Sequence, residues 1–346
     1  MKHQTTRYGE IPFYKIGTFG NTADAFISKK LFLEYKTKYS FPKKGDILIS
    51  ASGTIGRAVI YDGKPAYFQD SNIVWIDNDE TLVKNDFLFY AYSNVKWNTE
   101  HTTILRLYND NFRNTLIPLP PLNEQIAIAN ILSGLDRYLC TLDALILKKE
   151  GVKKALSFEL LSQRKRLKGF NQAWQRVRLG DIANYLTSNL SAEQITQQGK
   201  IKVYDVNNFI GYTDTTFISD KPYISIVKDG SVGRVRILPP KTNVLSTMGA
   251  LIANHRTTTE FLFYLLSNFD FKNFTSGSII PHIYFKDYKE KTIFLPPLNE
   301  QNAIANILSA LDNEITSLKN KKRQFENIKK ALNHDLMNAK IRVLKK

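Results

Sequence analysis

Along two stretches of this chain, apolar residues fall alternately four and three apart. The first series is Ile128, Leu132, Leu135, Leu139, Leu142 and Ile146, continued by Leu156 and Leu160. The second is Ile304, Leu308, Leu311, Ile315 and Leu318, then Phe325, Leu332 and Leu336. A stripe of this period marks a long helix with one apolar seam, sustained over about five heptads. Lysines interrupt it at Lys149 and Lys153 in the first stretch and at Lys322 and Lys329 in the second. Polar breaks of this kind can set the register of a helix pair. Each helix is expected to run about 44 residues, roughly 66 Å. Asn123 and Asn299 are the expected N-caps, and Glu124 and Glu300 place a carboxylate near the positive end of each helix dipole. Gly169 is the expected stop of the first helix.

Elsewhere the apolar residues come in short β-type runs bounded by turn residues. Asp46–Ser50, Val59–Tyr61 and Ile73–Ile76 are three of these, and Tyr223–Val227, Val235–Leu238 and Asn243–Leu245 are three more. Phe87–Ser93 and Glu260–Ser267 read as helices. The expected fold class is α+β, with two mixed domains separated by two long coiled-coil helices. Residues 1–121 form the first domain, 122–168 the first long helix, 169–297 the second domain, and 298–346 the second helix and tail.

The two long helices belong to a duplication. Leu119–Asp136 reads LPPLNEQIAIANILSGLD, and Leu295–Asp312 reads LPPLNEQNAIANILSALD. A repeat this long means that one unit was copied and that each copy ends alike. Two helices with one stripe can cover each other, through Leu132, Leu135, Leu139 and Leu142 on one and Leu308, Leu311, Ile315 and Leu318 on the other. Either direction is open, although a duplicated unit that closes on itself favours an antiparallel pair. The alternative is that each helix packs on its own domain.

Composition narrows the class. The formal net charge is +16 over 346 residues. The excess is spread over all four segments, which suits a polyanion such as nucleic acid. A compositional bias toward lysine alone would give the same figure. No apolar run approaches the length of a membrane span, and Met1–Gly9 does not read as a secretory signal. A single cysteine, Cys140, excludes a disulfide framework and a cysteine zinc site. A reducing cytoplasm is the default location.

Two features repeat inside the divergent domains. Gly53-Thr54-Ile55-Gly56-Arg57 returns as Gly230-Ser231-Val232-Gly233-Arg234. It is no phosphate loop, since no Lys-Ser or Lys-Thr follows and the turn joins strand to strand. A tight hairpin with glycines at positive φ is the plain reading. The functional one adds that Arg57 or Arg234 can reach a phosphate or a guanine edge. A second polar stretch, Thr102–Asn109 in one copy and Ser278–Lys286 in the other, precedes each long helix. It reads either as a connector or as a groove-contacting loop. The candidate DNA contacts are Lys43, Lys44, Ser52, Thr54, Arg57, Thr102, Thr103, Arg106, Tyr108 and Arg113 in the first domain. In the second they are Lys228, Ser231, Arg234, Arg236, Ser276, Ser278, His282, Tyr284 and Lys286. No amino-methyltransferase tetrad, Walker loop or metal-ligand histidine spacing is visible, so no catalytic or metal site is expected.

The twin Leu-Pro-Pro-Leu-Asn-Glu-Gln segments, Trp174–Ile182 with its Leu179-Gly180-Asp181-Ile182, the Gly-x-x-Gly-Arg turns and Lys340–Val343 together resemble the specificity subunit of type I restriction–modification systems. The resemblance spans nearly the whole chain. It implies a non-catalytic subunit whose two target-recognition domains each read half of a split, asymmetric DNA site. The paired helices would be the spacer, and the dock for two methyltransferase subunits that bind S-adenosylmethionine. Restriction subunits using ATP and Mg would join them, leaving no cofactor in this chain. The specificity partner of a related bifunctional type IIB/IIG-like enzyme is one alternative, and a coiled-coil adaptor that does not bind DNA is another. The first copy departs from the second by lacking its opening strand. Ile341–Lys346 is expected to pack near that gap and partly substitute.

Overall fold

The computed structural model describes residues 4–69, 72–97 and 106–344. The chain divides into two compact units: Met1–Asp143 with Asn320–Lys346, and Ala144–Lys319. Each long helix contributes one part to each unit.

In unit 1 the chain runs β1 (Ile11–Tyr14), β2 (Ala25–Ile27), α1 (Lys29–Lys38), β3 (Ile47–Ser50), β4 (Ala58–Ile60), β5 (Tyr67–Phe68) and β6 (Ile73–Ile76). Then come α2 (Asn85–Asn94), the short α3 (Asn109–Arg113) and the first part of α4 (Leu122–Leu161). Two three-stranded sheets form, ordered β2-β1-β5 and β4-β3-β6. All of β3 is buried, as its uninterrupted apolar run requires. Ile47 and Ile49 pack under Leu88 and Tyr92 of α2, while Phe87, Tyr90 and Ala91 face Ile128, Leu132, Leu336 and Met337.

Unit 2 repeats this plan with additions. It comprises β7 (Gln175–Arg178), β8 (Ala183–Thr187), β9 (Ile201–Tyr204), β10 (Phe209–Thr213), β11 (Tyr223–Val227), β12 (Val235–Leu238), β13 (Thr242–Val244) and β14 (Met248–Ala253). They are followed by α5 (Thr259–Ser267), β15 (Thr275–Ser276), β16 (His282–Ile283), α6 (Phe285–Tyr288), β17 (Thr292–Leu295) and the start of α7 (Leu298–Met337). The order β10-β9-β13 matches β2-β1-β5, and β12-β11-β14-β8 matches β4-β3-β6 with one strand more. A further pair, β17-β7, lies beside the start of α7.

Within each unit the helix segments run antiparallel, and the heptad stripe is their seam. Leu132 and Leu308 are wholly buried, and Leu142 and Ile315 nearly so. Leu135, Leu139, Leu311 and Leu318 are half-buried. The four lysines that break the stripe each reach a carboxylate on the other helix. In unit 1 Lys329 pairs with Asp136, and Lys322 lies 2.7 Å from Asp143. In unit 2 Lys153 lies 2.5 Å from Asp312 and Lys149 2.8 Å from Glu314. Partly exposed ion pairs add little stability. Two on the seam of each unit nevertheless disfavour a slipped register, because each shift would strand a lysine.

The repeated motif earns its residues at the helix starts. Each helix begins at Leu122 or Leu298, one residue before the expected cap. The Pro121 and Pro297 carbonyls accept from the Gln125 and Gln301 N–H groups, 3.0 and 2.9 Å away. Asn123 and Asn299 instead accept from the next residue's N–H, at 2.9 and 2.8 Å. Gln125 accepts from Lys84 N–H at 2.8 Å and donates to the Leu82 and Pro120 carbonyls. Gln301 likewise accepts from Thr258 N–H at 3.0 Å and donates to the Arg256 and Pro296 carbonyls. Lys84 and Thr258 precede α2 and α5, so one buried amide locks two helix starts together in each unit.

Both helices stop after 40 residues, at Leu161 and Met337, the first well before the expected Gly169. Two residues further on, Gln163 (φ 61°) and Ala339 (φ 54°) turn the backbone left-handed. Such a turn closes a helix, but without a glycine it leaves no sequence signal. The segment beyond then returns to the helix start of its own unit. Arg166 pairs with Glu300 at 2.6 Å in unit 2, and Arg342 with Glu124 at 2.5 Å in unit 1. The C-terminal segment thus repeats the work of Lys165–Leu167; as expected it packs beside the helix start of unit 1, where Ile341 and Arg342 lie next to Leu119 and Glu124, and among the described residues it forms no strand there.

Candidate nucleic-acid interface

The Gly-x-x-Gly-Arg turns join β3 to β4 and β11 to β12. Gly53, Gly56, Gly230 and Gly233 all hold positive φ, between 68° and 83°. At the second glycine the space is closed too. A Cβ on Gly56 would stand 2.2 Å from Trp97, and one on Gly233 2.6 Å from Phe271. In unit 1 the buried Ser50 hydroxyl donates to the Thr54 carbonyl and accepts from Arg57 N–H at 3.0 Å, which fixes the turn from below.

Each turn is gripped by the polar stretch that precedes the long helix. In unit 1 Ser52 bridges Arg106, and Leu107 N–H donates to the Ala51 carbonyl at 2.8 Å. In unit 2 Asp229 bridges His282, Gly230 N–H donates to the Pro281 carbonyl at 2.8 Å, and Ile283 N–H donates to the Lys228 carbonyl at 2.9 Å. Two segments read separately in the sequence are therefore one surface in each unit. Thr54, Arg57, Ser231, Arg234 and Tyr284 are exposed on it. His282 Nδ1 lies 2.7 Å from Asp229 Oδ1, and Lys286 stands over the Tyr284 ring at 5.6 Å.

The arginines are held in place. Arg57 donates to the Phe19 carbonyl at 2.9 Å. Arg234 donates to Asn207 Oδ1 at 2.8 Å and Arg236 to the Asn207 carbonyl at 3.0 Å. Arg236 also lies over the Tyr204 ring at 5.2 Å. Asn207 is a residue that the sequence reading passed over, as is Asn72, which accepts the Ser52 hydroxyl at 2.9 Å. Both come from distant loops, and nothing in the local sequence marks them.

Other candidates lie apart or differ in role. Lys43 and Lys44 sit at the end of β3 away from the turn, where Lys43 pairs with Asp77 at 3.1 Å. Tyr108 caps α3, its N–H donating to Asn111 Oδ1 at 2.6 Å, and the exposed Arg113 lies 3.7 Å from Asp110. Ser276, in β15, and Ser278, between β15 and β16, are both exposed. Thr102 and Thr103 lie outside the described residues. Among the described residues no His, Cys, Asp or Glu cluster is arranged to hold a metal ion, and no helix is long and apolar enough to cross a membrane.

Comparison with known proteins meets this geometry twice over. The family model for the type I restriction modification DNA specificity domain matches residues 1–149 and again 171–327. The chain belongs to that family. A type I restriction enzyme specificity subunit of Haemophilus influenzae is 65% identical over 137 residues, 39% of this chain and 36% of its own length. The MjaX specificity subunit of Methanocaldococcus jannaschii is 28% identical over 335 residues, covering 86% of this chain and 79% of the relative. Among solved structures, a type I S subunit from M. genitalium superposes with a TM-score of 0.62 at 21% identity, covering 97% of this chain and 91% of that one. A chain from a type I restriction–modification complex gives 0.53 at 15% identity, covering 85% and 82%. These two likenesses establish the fold: α+β, with long helices and an internal repeat. Specificity subunits are non-catalytic components, as expected for this chain.

Proposed function

We propose that this chain reads DNA for a type I restriction–modification complex, each unit recognising one half of a split, asymmetric site. The observation that supports this best is the turn gripped by its neighbouring loop, built the same way in both units. The frame is constant, while the side chains it presents differ between copies. Arg57 with Arg106 and Tyr108 in one unit, and Arg234 with His282, Tyr284 and Lys286 in the other, would meet different bases or phosphates. Backbone contacts from the surplus of lysine and arginine would supply much of the affinity. The paired helices would act as the spacer and as the dock for two methyltransferase subunits. Those subunits would bring S-adenosylmethionine, and restriction subunits would bring ATP and Mg, so that this chain holds no cofactor of its own.

The test is to co-express the chain with a cognate methyltransferase subunit and map methylated adenines in host DNA by long-read sequencing. A split asymmetric motif with a fixed gap is the expected result. A palindromic motif would mean that one unit alone reads DNA in a dimer. A stable complex that leaves DNA unmethylated would favour an adaptor role.

A further inference from the structure

Two isoleucines stand in water at the tip of a hairpin in unit 2. Strands β15 and β16 pair Thr275 with Ile283 and Ser276 with His282, and Gly277–Pro281 closes the hairpin. Ile279 is 92% exposed and Ile280 54%. Among the described residues of unit 2 no other large apolar side chain is as exposed as Ile279. Single apolar residues on a surface are ordinary. These two are adjacent, and the exposed Tyr284 follows them at the end of β16. Neither isoleucine joins a core cluster, whereas Ile283 of the same hairpin is buried in one.

The tip is held stiffly. Gly277 turns left-handed at φ 88°, and a Cβ there would stand 2.2 Å from the Ile280 carbonyl oxygen, so the loop closes tightly on itself. Pro281 fixes its own φ and confines Ile280 to extended backbone. The base of the hairpin is fastened to the Gly-x-x-Gly-Arg turn. Gly230 N–H donates to the Pro281 carbonyl, Ile283 N–H donates to the Lys228 carbonyl, and the Asp229 carboxylate meets His282. A β-branched side chain adds its own stiffness at χ1. Little conformational freedom is left to lose when the tip meets a partner.

The surroundings say what that partner is. Lys228 and Arg234 belong to the turn that grips the hairpin, and the exposed Lys286, over the Tyr284 ring, follows β16. On the same elements stand two acids, Asp229, engaged by His282, and the exposed Asp287. An apolar tip within a cationic rim fits a polyanion that also displays apolar groups, and duplex DNA is one. Isoleucine has no donor to offer a phosphate. On base edges the apolar group is the thymine 5-methyl, and it projects into the major groove, where an arginine also forks guanine.

We propose that Ile279, backed by Ile280, is a specificity-determining residue of unit 2. It packs against a thymine 5-methyl group in the major groove, and so selects thymine beside the polar contacts of Arg234 and its neighbours. The inference rests on the DNA-reading function proposed above. The corresponding stretch of unit 1, Thr102–Leu105, lies outside the described residues.

The test uses the complex of the full chain with its methyltransferase subunit and the duplex found by methylation mapping, with binding read by fluorescence anisotropy at fixed salt. Deoxyuridine, which lacks only the 5-methyl group, replaces each thymine in turn. At one or two neighbouring positions of a single half-site it should weaken the wild-type complex about fourfold, the worth of one buried methyl. Ile279→Ser, a change at an exposed position, should bind the thymine duplex about fourfold less tightly and no longer distinguish deoxyuridine there. Ile279→Val should still distinguish it. Four results would overturn the inference. Deoxyuridine could be without effect at every position, or Ile279→Ser could keep the wild-type discrimination. A 2-aminopurine beside the position could brighten with the wild type and not with Ile279→Ser, which would make the tip a wedge between bases. Ile279→Ser could impair assembly with the methyltransferase subunit while the assembled complex binds DNA unchanged, which would make the tip a protein contact. A wild-type complex that binds mapped and scrambled duplexes alike would refute the DNA reading itself, and the inference with it.

Discussion

Arg342 and Glu124 are 218 residues apart in sequence, and they join the end of the chain to the start of α4. The guanidinium Nη2 lies 2.5 Å and Nε 3.1 Å from the same carboxylate oxygen, and Val343 N–H donates to the other. The Arg342 hydrogen bond holds the Glu124 carboxyl below its ordinary range, against the opposing effect of burial. A carboxyl with a lowered folded pKa stabilises above its unfolded value and loses that contribution as pH falls through the folded one. Unit 1 should therefore weaken as pH drops below about 4.3. Glu124→Gln should lower stability at neutral pH and flatten this acid limb, as read by hydrogen exchange at Leu132 and Tyr90. An unchanged acid limb in the variant would remove the pair as its cause. Deleting 341–346 should loosen unit 1 and leave unit 2 protected.

Asp136 takes both the Tyr90 hydroxyl, at 2.7 Å, and the Lys329 ammonium. Asp312 takes the Tyr264 hydroxyl, at 2.9 Å, and Lys153. Burial, and then the carboxylate, push both tyrosine hydroxyls above their usual titration range, so neither ionises in ordinary conditions. Asp136→Ala should cost about 1–3 kcal/mol, since it strands a half-buried hydroxyl and a cation together. The exchange Asp136→Lys with Lys329→Asp should recover the ion pair but not the hydroxyl bond. Thermal melts of the four proteins in this cycle check the split.

Gly56→Ala and Gly233→Ala should each destabilise their own unit by about 2–4 kcal/mol. A left-handed backbone and an aromatic ring closer than contact distance act together there. Gly230→Ala, with open space around it, should lose only about 1–2 kcal/mol from its backbone angle. Urea unfolding of each variant measures the difference.

Ala339→Gly should stabilise by about 1 kcal/mol, because alanine is held at φ 54° after α7. The same substitution mid-helix would do the reverse. A melting temperature unchanged or lowered by the glycine would contradict the left-handed stop.

Arg234→Ala should alter or relax one half of the methylated motif and leave the other intact. If Arg234 touches a phosphate instead, affinity should fall across all sequences and the salt dependence should lessen by about one ion. Binding to matched and scrambled duplexes at two salt concentrations separates the two.

The long helices, their seam and six of the strands were legible because each rests on local periodicity: β6, β11 and β12 run as the sequence pattern reads, and β3, β4 and β13 within a residue of it. The helix stops were not, since Gln163 and Ala339 carry no turn signature. The tasks of Gln125 and Glu124 were hidden for another reason. Their partners, Lys84 and Arg342, are fixed by tertiary folding, and repetition alone marked these positions as important. The same holds at the interface. The turns could be read from their glycines, but the loops that grip them, and Asn72 and Asn207 beneath, come together only in three dimensions.

The division of α4 and α7 between the units has a consequence for synthesis. Unit 2 is one unbroken stretch, Ala144–Lys319, and its parts are all present before the chain is finished. Unit 1 is made first, but it needs Asn320–Lys346 to complete its core. On the ribosome the usual order, in which the N-terminal domain folds first, is therefore inverted. The second-made half closes while the first waits with Ile128 and Leu132 uncovered, and Asn320–Lys346, made after all of unit 2, are the residues that shut it.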